Sequence, residues 1–287
     1  NEFPASSRRL SRMISVSDII VGTATSDGAG VEINRVIGSK KIDHIDPFLL
    51  LDEFRNEHPD AYIAGFPPHP HRGFETVTYM LHGRMRHEDS TGQSGLLEDG
   101  SVQWMTAGSG IIHSEMPEQT GGMMWGYQLW VNLPADKKMS APAYQDIPAK
   151  DIPEVKTDDG LVRLVAGEYG GITGAAQTMT KVCYLDVRRN PGTGFDFEMP
   201  AGWNGFIYVY QGSATVFGVN DSTCVVPQQA MAILAGDGKL TVTGTDEGVR
   251  FLLLAGEPIG EPIARMGPFV MNTRAELFKA ADDYRRG

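Results

Sequence analysis

His69-Pro70-His71 and, 42 residues after His71, His113-Ser114-Glu115 decide how this chain is read. Each stretch spaces metal-ligand residue types at i and i+2. On a β-strand those positions point to one face. Two such strands facing each other inside a barrel would aim three imidazoles and one carboxylate at one point. That donor set suits iron, manganese, nickel, zinc or copper as a single divalent transition metal. Seven histidines occur in all, five of them between residues 69 and 113, and none follows His113. A metal site therefore belongs to the first half. The bland alternative is a pair of hydrogen-bonded core histidines. H-x-H, H-x-E, strand context and flanking glycine turns together favour the metal.

Glu75 competes for the carboxylate position. It lies four residues after His71, so strict alternation also turns it inward, unless Gly73 carries a bulge that re-aims it. Either Glu75 or Glu115 can be the fourth ligand, with the other handling protons or orienting a ligand. His82 has the opposite parity to His69 and His71 and is expected to face outward beside Gly83. His87 is left undecided, and His44 and His58 default to the surface. Gly108-Ser109-Gly110 reads as a tight turn, because no Lys or helix start follows it as a phosphate cradle requires. Trp104, Met116, Met123, Met124 and Trp125 are expected mostly in the core, with a pocket mouth as the alternative.

The chain has 287 residues and a net charge of -11. That length is a soft prior for two domains, and the charge argues against direct contact with phosphate backbones. Arg8, Arg9 and Arg12 form a small basic cluster, read as a solvated tail. With Gly 34 and Pro 17, frequent short strands and few helical patterns, the expected class is all-β. Cys183 and Cys224 are too few for a disulfide framework, which favours a reducing compartment. No apolar run reaches the ~20 residues of a membrane helix, and the first residues lack the apolar core of a signal peptide. Cytoplasmic location is expected, or nuclear in a eukaryote.

Strand-and-turn rhythm runs from Ile33 to Leu133 and resumes from Leu161 to Leu254. Between them Pro134, Pro142, Pro148 and Pro153 punctuate a segment that holds Lys137, Lys138 and Lys150. The expected layout is a metal-binding barrel over 1–140, a linker over 141–160, a second barrel over 161–262 and a helical tail over 263–287. The tail helix starts near Thr273, with Thr273 or Asn272 as N-cap. Tyr79-Met80-Leu81-His82-Gly83 matches Tyr208-Val209-Tyr210-Gln211-Gly212, a sign of duplication. In that register His69 falls opposite Glu198 and His71 opposite Pro200, so the second barrel has no ligands and is silent.

The stretch from Gly65 to Tyr79, GFPPHPHRGFETVTY, resembles the first metal-binding motif of the cupin superfamily in the form the pirin family carries. Gly100 to Pro117, GSVQWMTAGSGIIHSEMP, resembles the second pirin motif, including its departure from the usual Pro-x-Gly turn at Thr106 and Gly108. Leu129 to Pro134 and Gly267 to Asn272 look like further pirin signatures. The resemblance covers most of the chain. It implies two tandem cupin barrels with a C-terminal helix, and metal, iron first, in the N-terminal barrel only. It favours His69, His71, His113 and Glu115 as ligands. It also implies a quercetin 2,3-dioxygenase-type oxidoreductase with a small aromatic flavonol as substrate. On the chemistry of such a site the catalytic carboxylate that takes the hydroxyl proton is Glu115, or Glu75 if it is displaced from the metal. The alternative it carries is a metal-binding, redox-sensing regulatory protein that works through a protein partner.

Overall fold

The computed structural model describes residues 13–287, so the Arg8, Arg9 and Arg12 cluster lies outside the described residues. The strand Phe74–His82 shows what organises the chain: every residue but the last is buried. A strand buried on both faces needs cover on both. Thr78 and Met80 face the interior of the first domain, where Thr78 bonds Glu115 and Met80 packs on Met85 and Phe66. Val77 and Tyr79 face the other way and pack with Tyr184, Tyr208 and Leu252 of the second half. The same split governs Phe48–Asn56. Leu50, Asp52 and Phe54 line an interior cavity, while Leu51 and Glu53 turn to the second half.

The first domain has a seven-stranded sheet in the order Ala143–Ile147, Val102–Thr106, Phe74–His82, Met124–Asn132, Phe48–Asn56, Val31–Ile37, Thr23–Asp27. The second has the order Ser15–Val21, Ala230–Ala235, Asn204–Phe217, Gly238–Gly256, Val182–Arg189, Gly160–Ala166, Glu154–Thr157. The two orders correspond strand for strand. Tyr79 and Tyr208 occupy equivalent positions, as the five-residue match suggests. A four-stranded sheet, Phe66–His71, Ile111–Pro117, Met85–Asp89 and Ser94–Leu97, closes the other side of the first domain.

The edges are exchanged, and this redraws the domain limits. Ser15–Val21 pairs with Ala230–Ala235, so it belongs to the second sheet although it precedes the first domain. Ala143–Ile147 pairs with Val102–Thr106 and completes the first sheet. The segment 141–160 is therefore two sheet edges joined by a short 3-10 turn, Ala149–Asp151, and its prolines mark edge positions.

Equivalent carboxylates bind the two sheets together. Tyr208 Oη donates to Glu53 Oε2 at 2.7 Å, and Tyr79 Oη lies 2.7 Å from Asp186 Oδ2. Asn34 reaches Tyr208 as Arg163 reaches Tyr79, at 3.2 and 2.7 Å. Both carboxylates are buried, and each has several donors, as burial of a charge demands.

Residues after Ile263 return to the first domain. A Cβ on Gly73 would lie 2.0 Å from the Val270 carbonyl, so glycine at that point lets the tail dock against the ligand strand. Lys138, which the sequence presents as a linker charge, is buried. Its ammonium donates to the Gly73 carbonyl at 2.8 Å, Asn132 Oδ1 at 2.6 Å and the Val270 carbonyl at 3.1 Å. The helix Arg274–Arg286 follows, with Thr273 and Glu276 forming a capping box. No helix among the described residues is long and apolar enough to cross a membrane. We predict that Lys138→Met, which strands three acceptors, costs about 2–3 kcal/mol in urea unfolding. A change below about 0.5 kcal/mol would contradict the stapling role.

Candidate metal centre

His69 and His71 lie on Phe66–His71, and His113 on the neighbouring Ile111–Pro117 strand. His69 pairs with His113 and His71 with Ile111 across the antiparallel ladder. Alternation then puts all three rings on one face. Their centroids lie 4.4 to 5.0 Å apart, and one nitrogen of each falls within 4.8 Å of the others.

Three polar rings in contact, His71 and His113 of them buried, need an explanation. His69 Nδ1 lies 2.8 Å from the Pro67 carbonyl, which takes its proton and leaves the Nε2 lone pair free. Neither ring nitrogen of His71 has a partner, nor does Nε2 of His113. Burial, then the neighbouring His69, pushes His71 down to about 3. Burial, then His71, holds His113 well below the ordinary imidazole range. His71 and His113 therefore present neutral lone pairs at neutral pH, which is the form that binds a metal. Convergent imidazoles with ring nitrogens left unpartnered fit a borderline transition ion.

Glu115 is buried and lines the same cavity as His69 and His71. Its carboxylate is turned to Thr78 Oγ1 at 2.8 Å and Gln128 Nε2 at 3.3 Å, outside the 4.8 Å cluster. Thr78 has one hydroxyl hydrogen and two acceptors in reach, because Gln128 Oε1 is 2.6 Å away.

The structure does not bring Glu75 to this point. Residues 72 and 73 separate Phe66–His71 from Phe74–His82, and Gly73 at φ +90 resets the parity between them. Glu75 lies three residues from Thr78, so it takes the opposite face, where Thr106 donates to it at 2.7 Å beside the buried Trp104. Burial raises its carboxyl to about 7.

His87 is the residue that parity alone could not place. It sits across the ladder from Glu115, is buried, and has Nδ1 3.4 Å from His113 Nδ1. His82, by contrast, is exposed beside Asp99, and His44 and His58 are at the surface. Trp104, Met124 and Trp125 are buried, Trp125 donating to Glu53.

The second domain answers the cluster with apolar residues. The pair His69–His113 corresponds to Phe197–Leu240, and Glu115–His87 to Val242–Val216. His71 corresponds to Met199. All five replacements belong to one hydrophobic cluster. Glu198 and Pro200, the counterparts suggested by the sequence register, are exposed and one position out of phase.

Two outcomes follow. A buried Glu75 with a raised pKa holds its proton in the folded state between about pH 4.5 and 7, where the unfolded chain has lost it. Its stabilising contribution therefore falls as pH rises through that window. Glu75→Gln should gain stability over the native protein from pH 4.5 to 7 and then hold a constant lead, with metal content unchanged. A parallel pair of pH–stability curves would contradict this. His87→Phe, which removes the group holding His113, should weaken metal binding about tenfold or more in a competition titration. Native affinity in that variant would refute the orienting role.

The pirin model matches residues 30–131, and the pirin C-terminal cupin domain model matches residues 184–287. A Pseudomonas aeruginosa protein provisionally named a quercetin 2,3-dioxygenase is 47% identical over 286 residues, covering 97% of this chain and 99% of that protein. Human pirin is 40% identical over 270 residues, covering 93% and 90%. The crystal structure of a quercetin 2,3-dioxygenase from Acinetobacter baumannii superposes with a TM-score of 0.87 at 35% identity, covering 96% of this chain and 98% of that one. The all-β tandem architecture, the two matched domains and the histidine strands that carry the first motif agree: this chain belongs to the pirin family of two-domain cupins.

Proposed function

We propose that the protein is a metal-dependent dioxygenase that cleaves a flavonol such as quercetin with oxygen. The observation that carries this reading is the histidine cluster at the wall of a cavity of about 590 Å³. Ile33, Leu50, Phe54, Phe66, Met85 and Trp130 supply apolar lining, and His69, His71, Glu115 and Gln128 supply the polar end. A planar aromatic fits such a space, with its oxygens at the polar end. The relatives named as quercetin 2,3-dioxygenases support the choice of substrate class.

In this reading His69, His71 and His113 hold the ion, and Glu115 is the fourth protein group at the site. Iron is our first assignment, while manganese, nickel, zinc and copper also suit the donors. A redox-active ion bound there supplies Lewis acidity toward a substrate hydroxyl and electrons for oxygen chemistry. The chain's own residues do the rest. Trp130 packs edge-on to His71 at 5.3 Å and lines the cavity beside the cluster. Glu115 takes the hydroxyl proton at Oε2, the oxygen with the longer bond to the protein. Thr78 and Gln128 keep that carboxylate facing the cavity. Glu75 takes no part, because it faces the second domain.

One observation favours a regulatory protein with a protein partner. The ligand strand is tied to the surface helix: Arg72, next to His71, donates to Asp283 at 2.8 Å, and its backbone pairs with residues 268 and 270. A change at the cluster would reach an exposed helix by that route.

Anaerobic loading with single metals, followed by exposure to air with quercetin, separates the two. The dioxygenase reading predicts oxygen-dependent loss of quercetin and release of carbon monoxide. Glu115→Gln should lower the rate about 100-fold or more. Intact quercetin with every metal would refute the enzymatic reading.

A further inference from the structure

The cavity has a second polar feature at its mouth, away from the histidines. Arg35, Asp27, Asp52 and Arg265 line it. Arg35 is committed to the two carboxylates. It grips Asp52 with Nε at 2.9 Å and Nη2 at 2.7 Å, and reaches Asp27 at 2.6 Å. One cation thus serves both carboxylates of the wall.

Arg265 is different. It comes from the returning tail, on the Ala264–Met266 strand. Its guanidinium lies 4.8 Å from the centre of the Trp130 ring. Among the described residues its one hydrogen bond is from Nη1 to the Leu49 carbonyl at 3.2 Å. No carboxylate is bonded to it, yet a guanidinium carries five N–H groups. Trp130 itself packs against His71. The order along this wall is therefore imidazole, indole, guanidinium, with one ring's breadth between the cluster and a cation that has donors to spare.

We propose that Arg265 is a specificity-determining residue that selects aromatic substrates bearing an acidic oxygen, phenolate or carboxylate, at the end remote from the histidines. This deepens the reading above and rests on the cavity being the substrate site, though not on flavonol cleavage. A planar ring lies in the cavity beside Trp130, its metal-facing oxygens meet the histidine end, and the remote oxyanion receives the unused N–H groups. A charge-assisted hydrogen bond of this kind is worth roughly tenfold in affinity or more. The fork geometry also distinguishes arginine from lysine here.

The test is a binding measurement on the full chain loaded with zinc, which carries no redox chemistry. The probes are 6-hydroxy-2-naphthoate and 2-naphthol, which differ by one carboxylate. Isothermal titration should show the naphthoate bound about tenfold more tightly by the native protein. Arg265→Met should abolish that preference while leaving 2-naphthol affinity and zinc content unchanged, and Arg265→Lys should keep part of it. No preference in the native protein, or a preference that survives in Arg265→Met, would overturn the proposal. The second result would mean that the carboxylate goes to the metal instead. If Arg265 behaves as stated but quercetin is never cleaved, the flavonol reading falls and the anion subsite stands.

Discussion

Buried polar atoms in folded proteins are almost always hydrogen-bonded, and the nitrogens of His71 and Nε2 of His113 are not. Desolvation keeps both rings neutral, and the ladder between their strands holds the three lone pairs together. The surrounding structure makes this costly arrangement rigid. Pro67 fixes the tautomer of His69, His87 sits against His113, and Phe74 and Trp130 pack on His71. A cation that accepted the lone pairs would relieve that cost. The rest of the first domain reads as the scaffold for that cluster.

The second domain shows what the same scaffold does without that demand. Its sheet repeats the strand order of the first, and its counterparts to His69, His71, His113 and Glu115 are Phe197, Met199, Leu240 and Val242 in a packed apolar cluster. Duplication also explains the interface. Tyr79 and Tyr208 are equivalent, and each reaches across to the other sheet's buried carboxylate. The relation between the halves is thus close to a two-fold, and the exchanged edge strands Ser15–Val21 and Ala143–Ile147 follow it.

Much of this was legible in the sequence because the signals were local. The i, i+2 spacings and strand context already grouped His69, His71 and His113, and Thr273 was a candidate N-cap for the tail helix. What was not legible was non-local. Glu75 looked inward by parity, but the break at Gly73 moves it to a different sheet and the opposite face. Lys138 looked like a linker charge because its three acceptors come from segments far apart in the chain. Ser15–Val21 could not be assigned to the second sheet, since nothing in an edge strand names its partner. His87 alternates in step with a ladder that only the fold defines. The five-residue repeat was real, yet the connection between Met199 and Tyr208 is one residue longer than that between His71 and Tyr79, which put its extrapolation one residue out of phase.

The central claim is that one transition ion is held by imidazoles of the first domain. Elemental analysis of purified protein, native beside a His69→Ala/His71→Ala double variant, tests it most directly. The account predicts close to one metal per chain in the native protein and almost none in the variant, with folding retained. Stoichiometric metal surviving in the double variant would contradict it.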